Sequence, residues 1–199
     1  SSTTFPLVNP YPVLGSSQWF WPRGVPLERV KEESMLSGEL TRLNASLVID
    51  SIAVIQSSAR VAPDVDAVFR LTHRNIDSID FNSILPLIVI EEPALCPYNA
   101  QATLHRASGL WAALLPITVH GRVSDIWRSY IAQAVFQVLN LRVSFTGAWV
   151  QHDRAAHDLV RDLVAEDDIY QLAEPLIQFL SKWTAEKRSV VSTSSSHLC

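Results

Sequence analysis

Arg122 and Asp125 stand three residues apart in the stretch Pro116 to Gln133, PITVHGRVSDIWRSYIAQ. The apolar run Leu114 to Val119 precedes them, breaks at His120-Gly121, and gives way to helical spacing. A cation and an anion held together where a strand gives way to a helix is an arrangement α/β folds use for ligand chemistry. The spacing predicts a helix from about Ser124, whose hydroxyl can cap it. Trp127, Ile131, Ala134, Val135 and Val138 would form its apolar face, which makes Trp127 a core residue. Asp125 then falls in the first turn, where the macrodipole favours a carboxylate. Two readings of Asp125 are open. It is either a reactive carboxylate or a helix-stabilising one, paired with Arg128 on the next turn while Arg122 is solvated.

Three other groups have chemistry-bearing types. Asp64-Val65-Asp66 has the D-x-D spacing that puts two carboxylates on one side of an extended segment, where they could ligate a divalent metal. An Asp-capped turn before a strand fits the same triplet. Cys96 to Thr103, CPYNAQAT, is a polar loop in which Asn99 and Gln101 supply side-chain amides. His152 follows the alternating segment Leu141 to Val150, at the carboxyl end of a strand, the edge where α/β proteins bind ligands.

The elements that must position these groups read as α/β. Residues 1–4 are a polar lead-in. Phe5 to Pro26 combines five prolines with Phe5, Tyr11, Trp19, Phe20 and Trp21, so it excludes regular helix and reads as a stiffened segment packed over a core or lining a cleft. Leu27 to Leu36 suggests a short helix with Leu27, Val30 and Met35 inward. Arg42 to Gln56, the segment after Pro63 up to Leu71, and Ile84 to Ile90 read as strands. Residues 155–167 and 169–187 read as amphipathic helices with Leu159, Leu163, Leu172, Leu176, Ile177 and Leu180 inward. Residues 188–199 form a serine-rich tail expected to be disordered.

Composition bounds the answer. The 199 residues, 48% hydrophobic and 18% charged, suit one globular domain over 5–187. A net charge of -4 without a basic run argues against a nucleic-acid partner. Two cysteines, Cys96 and Cys199, read as free thiols, and no Cys/His cluster has zinc spacing. The sequence has no apolar run of about 18 residues and no signal-peptide pattern, so no membrane contact is expected from the chain itself. Asn44-Ala45-Ser46 is a glycosylation sequon compatible with a lumenal location.

Several strings, in order, resemble the STELLO family of Golgi glycosyltransferase-like proteins. They are Val8 to Pro12, Trp21 to Gly24, Pro63 to Arg70, Cys96 to Gln101 and Ser124 to Ser129, within a match from about Phe5 to Trp183. A more distant similarity is to the reversibly glycosylated polypeptides, which are UDP-arabinose mutases. It is carried by Arg23-Gly24-Val25-Pro26, Asp66-Ala67-Val68, Gly121 to Trp127 and His152. The resemblance implies a nucleotide-diphospho-sugar transferase fold of the GT-A kind, of which this chain is the C-terminal, acceptor-side part. It implies a nucleotide-sugar donor, a carbohydrate or glycoprotein acceptor, Mn or Mg as cofactor and the Golgi lumen as location. It casts Asp125 as the carboxylate that activates or positions the acceptor hydroxyl. Arg23 and Arg122 would neutralise diphosphate charge, Asn99 and Gln101 would bond sugar hydroxyls, and His152 would ligate metal or donate to phosphate. Two alternatives accompany it. One is a non-catalytic lumenal scaffold that docks through Phe5 to Trp21; the other is an inactive fragment with exposed sheet edges.

Overall fold

Two long neighbouring strands carry the fold. A computed structural model describes residues 4–37, 49–73, 78–81 and 87–196 of the chain, with side chains as far as residue 190. The first strand, β1 (Ile52–Val61), starts on the β-branched and small run Ile52-Ala53-Val54-Ile55 and is buried along most of its length. It pairs in parallel with β4 (Arg142–His152), from Ile52 opposite Arg142 to Val61 opposite His152. The two-residue β2 (Ile88–Val89) and the short β3 (Thr103–His105) flank them antiparallel, giving the order β2-β4-β1-β3. Burial on both faces suits a parallel pair with helices packed against it.

The helices are α1 (Glu33–Ser37), α2 (Ala67–Thr72), α3 (Gly121–Val138), α4 (Leu159–Ala165) and α5 (Asp167–Ser196). Helix α3 belongs to the crossover between β1 and β4, so its N-terminus lies near the carboxyl end of β1. Asn140, at φ +55°, ends it by a left-handed turn into β4. Ile169, Ala173, Ile177 and Leu180 form the buried stripe of α5, and α5 packs against α3. No helix among the described residues is long and apolar enough to cross a membrane.

Several sequence expectations change. The segment from Ala67 is helix, not strand, because Asp66 caps it through Phe69 N at 2.7 Å while Glu166 accepts from Ala67 N. Leu114 to Val119 is irregular and largely exposed, with Ile117 95% exposed, so no strand feeds α3. Helix α3 begins at Gly121 with His120 as its cap, and Ser124 bonds back to the Gly121 carbonyl instead of capping. Its buried face carries Val123, Ile126, Tyr130, Ala134 and Phe136, whereas Ile131 is exposed; Trp127 packs half-buried against the core. Leu172 also faces out.

The serine-rich tail is helical to Ser196, because α5 continues through it. Residues 42–48 and 82–86, the sequon, the lead-in 1–3 and Cys199 lie outside the described residues, so those strand expectations are met only at Ile52–Gln56 and Ile88–Val89.

Most of the aromatic segment packs into the core, with Trp19 the exposed one of its five rings. Phe5, Tyr11, Phe20 and Trp21 are buried, with Tyr11 stacked on Phe20 at 4.4 Å and Trp21 edge-on to Phe69. Burying such rings is worth roughly 1.5–3 kcal/mol each. Asn9 pins the segment through the Phe20 carbonyl, and Leu7 bridges Leu95.

Candidate active-site cleft

Two parallel strands ending side by side set the site. Val61, the last residue of β1, holds φ +72°, which β-branched residues rarely adopt, and the chain turns there toward Asp64. His152, the last residue of β4, bonds through Nδ1 to the Ala62 carbonyl at 3.2 Å, which ties the two strand ends together. The first turns of α3 supply Arg122 and Asp125. Together with Arg23, Gln101, Gly121, Arg154 and His157, these residues line one cleft of about 240 Å³.

Arg23 is the centre of the arrangement. Gly24 holds φ +102° and packs so tightly on α3 that a Cβ there would overlap the Ile126 side chain. Its carbonyl accepts from the Tyr130 hydroxyl at 2.9 Å. The chain is thereby fixed against the helix, and the Arg23 side chain runs across the helix start. Its Nε bonds both oxygens of Asp64 (2.9 and 3.0 Å), its Nη2 both oxygens of Asp125 (3.1 and 2.9 Å), and its Nη1 the Arg122 carbonyl. Burial alone would lower the guanidinium pKa, but Asp64 and Asp125 outweigh it and raise the pKa well above the ordinary value.

Asp125 also accepts from Ile126 N (3.0 Å) and Ala100 N (3.3 Å), so each of its oxygens takes two hydrogen bonds. Its carboxylate does not pair with the Arg128 guanidinium as the helical spacing allowed; Arg128 Nε reaches the Asp125 backbone carbonyl at 3.3 Å instead. Arg128 goes to the Ala112 and Asn99 carbonyls and lies over the Tyr98 ring.

The remaining predicted residues divide. Arg122 lines the cleft, but its guanidinium is held by Glu166 (2.6 and 3.1 Å) and Asp162 (3.2 Å). Gln101 is exposed on the rim. Asn99 is buried, and its Oδ1 accepts from Gln56 Nε2 and Gln101 N, so it braces the loop and does not line the cleft. Asp66 points away from the site. It is fully buried, bonds Trp21 Nε1 at 2.5 Å and Phe69 N at 2.7 Å, and burial pushes its carboxyl up to about 6. The D-x-D triplet therefore does not present two carboxylates together, because its second member became a helix cap.

Among the described residues no three His, Cys, Asp or Glu side chains converge as a metal set. Asp64 is taken up by Arg23 and Asp66 is buried elsewhere, so these two residues do not fit a shared Mn or Mg ion.

Sequence reasoning missed His157, Asp162 and Glu166, and reached Arg154 only as part of the run Gln151 to Arg154 at the carboxyl end of the strand. Asp162 gathers Arg122, Arg154 and His157 at 3.2 to 3.4 Å, and the fully buried Glu166 also takes the Tyr170 hydroxyl at 2.7 Å. The available signal was two carboxylates four residues apart, on one helical face after the strand that ends at His152.

A family model described as STELLO glycosyltransferases matches residues 122–199. "Probable glycosyltransferase STELLO1" of Arabidopsis thaliana is 29% identical over 194 residues, covering 94% of this chain and 24% of that protein. The chain is thus similar in sequence to a STELLO protein. "Probable glycosyltransferase STELLO2" of the same plant is 28% identical over 191 residues, again with 94% and 24% coverage. The chain spans about a quarter of the length of the curated relatives it matches. Its mixed α/β architecture with a four-stranded sheet is one that a glycosyltransferase-like domain can have.

Proposed function

We propose that the protein carrying this chain transfers a sugar from a nucleotide diphosphate to a carbohydrate or glycoprotein acceptor, and that this chain forms the acceptor-side part of a GT-A-like domain. The observation that carries the reading is the meeting of Arg23, Arg122, Asp125 and His152 in one cleft at the carboxyl ends of a parallel strand pair. This is the edge at which α/β sheets bind ligands. The similarity to two probable glycosyltransferases supports sugar transfer as the chemistry. The Golgi lumen is the location that goes with this reading.

Asp125 works in it through charge and position. With four hydrogen bonds already accepted, its carboxylate is held in one place and presents its charge at the cleft. Such a charge stabilises the positive character that develops at an anomeric carbon and orients an acceptor hydroxyl. Arg23 holds that carboxylate in place and is an organiser of the site, not a ligand for the donor. Gln101, on the rim, is suited to a sugar hydroxyl, and His152 presents its second ring nitrogen. Mn or Mg belongs to the proposal as an ion that would accompany the diphosphate and offset its charge.

The test is turnover of a panel of nucleotide sugars by the protein carrying this chain, compared with Asp125→Asn. The variant should lose about 100-fold or more in rate with its unfolding midpoint kept within a few degrees. Wild-type turnover that Asp125→Asn leaves intact would remove the reading.

A further inference from the structure

Hydrogen-bond accounting around the cleft separates its three guanidinium groups. Arg23 spends Nε, Nη1 and Nη2 on Asp64, the Arg122 carbonyl and Asp125. Arg122 spends Nε and Nη2 on Glu166 and Nη1 on Asp162. Neither has a fork left for a ligand.

Arg154 differs. It stands two residues past the end of β4, its side chain is only 12% exposed, and it lines the cleft. Among the described residues its one hydrogen bond runs from Nη2 to Asp162 Oδ2 at 3.2 Å. An arginine carries five N–H donors in a planar fork, so most of its capacity is unspent. Its remaining donors keep access to the cleft, where a ligand can take them up. His157 shares the same Asp162 oxygen at 3.4 Å, which sets a second donor beside the fork when its ring is protonated.

We infer that Arg154, with His157 beside it, is the anion-gripping element of the cleft and binds the oxygens of a phosphate-bearing ligand. The planar fork matches two phosphate oxygens at once, which a lysine at the same place could not do. Asp162 is the positioning residue. It anchors one edge of the Arg154 fork and, through Arg122, ties that fork to the start of α3. This assignment deepens the proposed function by naming where the donor's diphosphate is held, and it rests on that reading only for the identity of the ligand.

The experiment is calorimetric titration of the full chain with pyrophosphate and with UDP, using wild type, Arg154→Gln and Arg154→Lys, each with its unfolding midpoint recorded. Wild type should bind both probes, and Arg154→Gln should raise both Kd values about tenfold or more, the loss expected for charge-assisted hydrogen bonds. Arg154→Lys keeps the charge and the Asp162 pairing, so it is the readable variant if Arg154→Gln fails to fold, and should raise Kd at least about threefold. Unchanged Kd in a folded variant, or no pyrophosphate binding by wild type, overturns the assignment. Arg154-dependent binding of pyrophosphate and UDP without turnover of any nucleotide sugar supports the anion site and counts against the proposed transfer alone. Turnover that survives Arg154→Gln undiminished counts against the anion site alone.

Discussion

At the scale of single residues, two aspartates two positions apart have opposite fates. Asp64 stays at the cleft because it shares Arg23 with Asp125, a charge-assisted arrangement in which two carboxylates face one guanidinium. Asp66 is carried inward as the cap of α2, against Trp21. Burial raises its carboxyl to about 6, against the pull of its Phe69 and Trp21 hydrogen bonds. The folded state therefore holds a proton on Asp66 that the unfolded state has released between about pH 4 and pH 6. Ionisation penalises the fold by on the order of 3 kcal/mol, with none of that penalty present below pH 4 and all of it above about pH 6. Asp66→Asn keeps the capping oxygen and removes the titration. In urea unfolding, wild type should lose stability relative to Asp66→Asn as pH rises from 4 to 7, and the difference should then level off. A pH-independent difference would contradict the burial argument. The sequence made both aspartates visible and could not say which was buried, since that depends on Trp21 arriving from 45 residues before Asp66 and Glu166 from 99 residues after Ala67.

At the scale of elements, the contact between Trp21-Pro22-Arg23-Gly24 and helix α3 decides whether the site exists. Gly24 is at φ +102° with its Cα against Ile126 and its carbonyl on Tyr130. Gly24→Ala adds a methyl into that contact and strains the backbone, which together cost about 2–5 kcal/mol. The expected result is a lower unfolding midpoint accompanied by loss of nucleotide-sugar turnover even at temperatures where the variant is still folded, because Arg23 no longer reaches both aspartates. A Gly24→Ala protein of unchanged stability would show that the contact is looser than described. The helix itself was legible from its apolar spacing, and so was β4 from alternation. Its register was not. Ser124 looked like a cap, but His120 and Gly121 start the helix three residues earlier and turn the face so that Ile126 and Tyr130 point inward. Ala67 to Leu71 was misread because a short apolar run fits strand or helix equally, and the deciding hydrogen bonds come from side chains.

At the scale of the whole molecule, the parallel pair β1 and β4 aligns two chain ends so that the loops after them, the start of α3 and the proline-rich segment close around one cleft. Family resemblance picked out Arg23, Arg122, Asp125 and His152 in advance, and all four line that cleft. It assigned them roles by analogy, and hydrogen-bond geometry redistributes those roles. Arg23 and Arg122 are held by carboxylates, while Arg154, which no motif marked, keeps its donors. Roles of this kind depend on which partners fold alongside a residue, and residue type does not carry that information. The central claim is that this cleft receives the diphosphate of a nucleotide sugar with its anomeric carbon beside Asp125. A crystal structure of the protein carrying this chain with a non-hydrolysable nucleotide-sugar analogue tests it most directly. The diphosphate is expected against Arg154 and His157 with the sugar ring facing Asp125 and Gln101; an analogue seated elsewhere, with the Arg23–Asp125 cleft filled only by solvent, would contradict the proposed function.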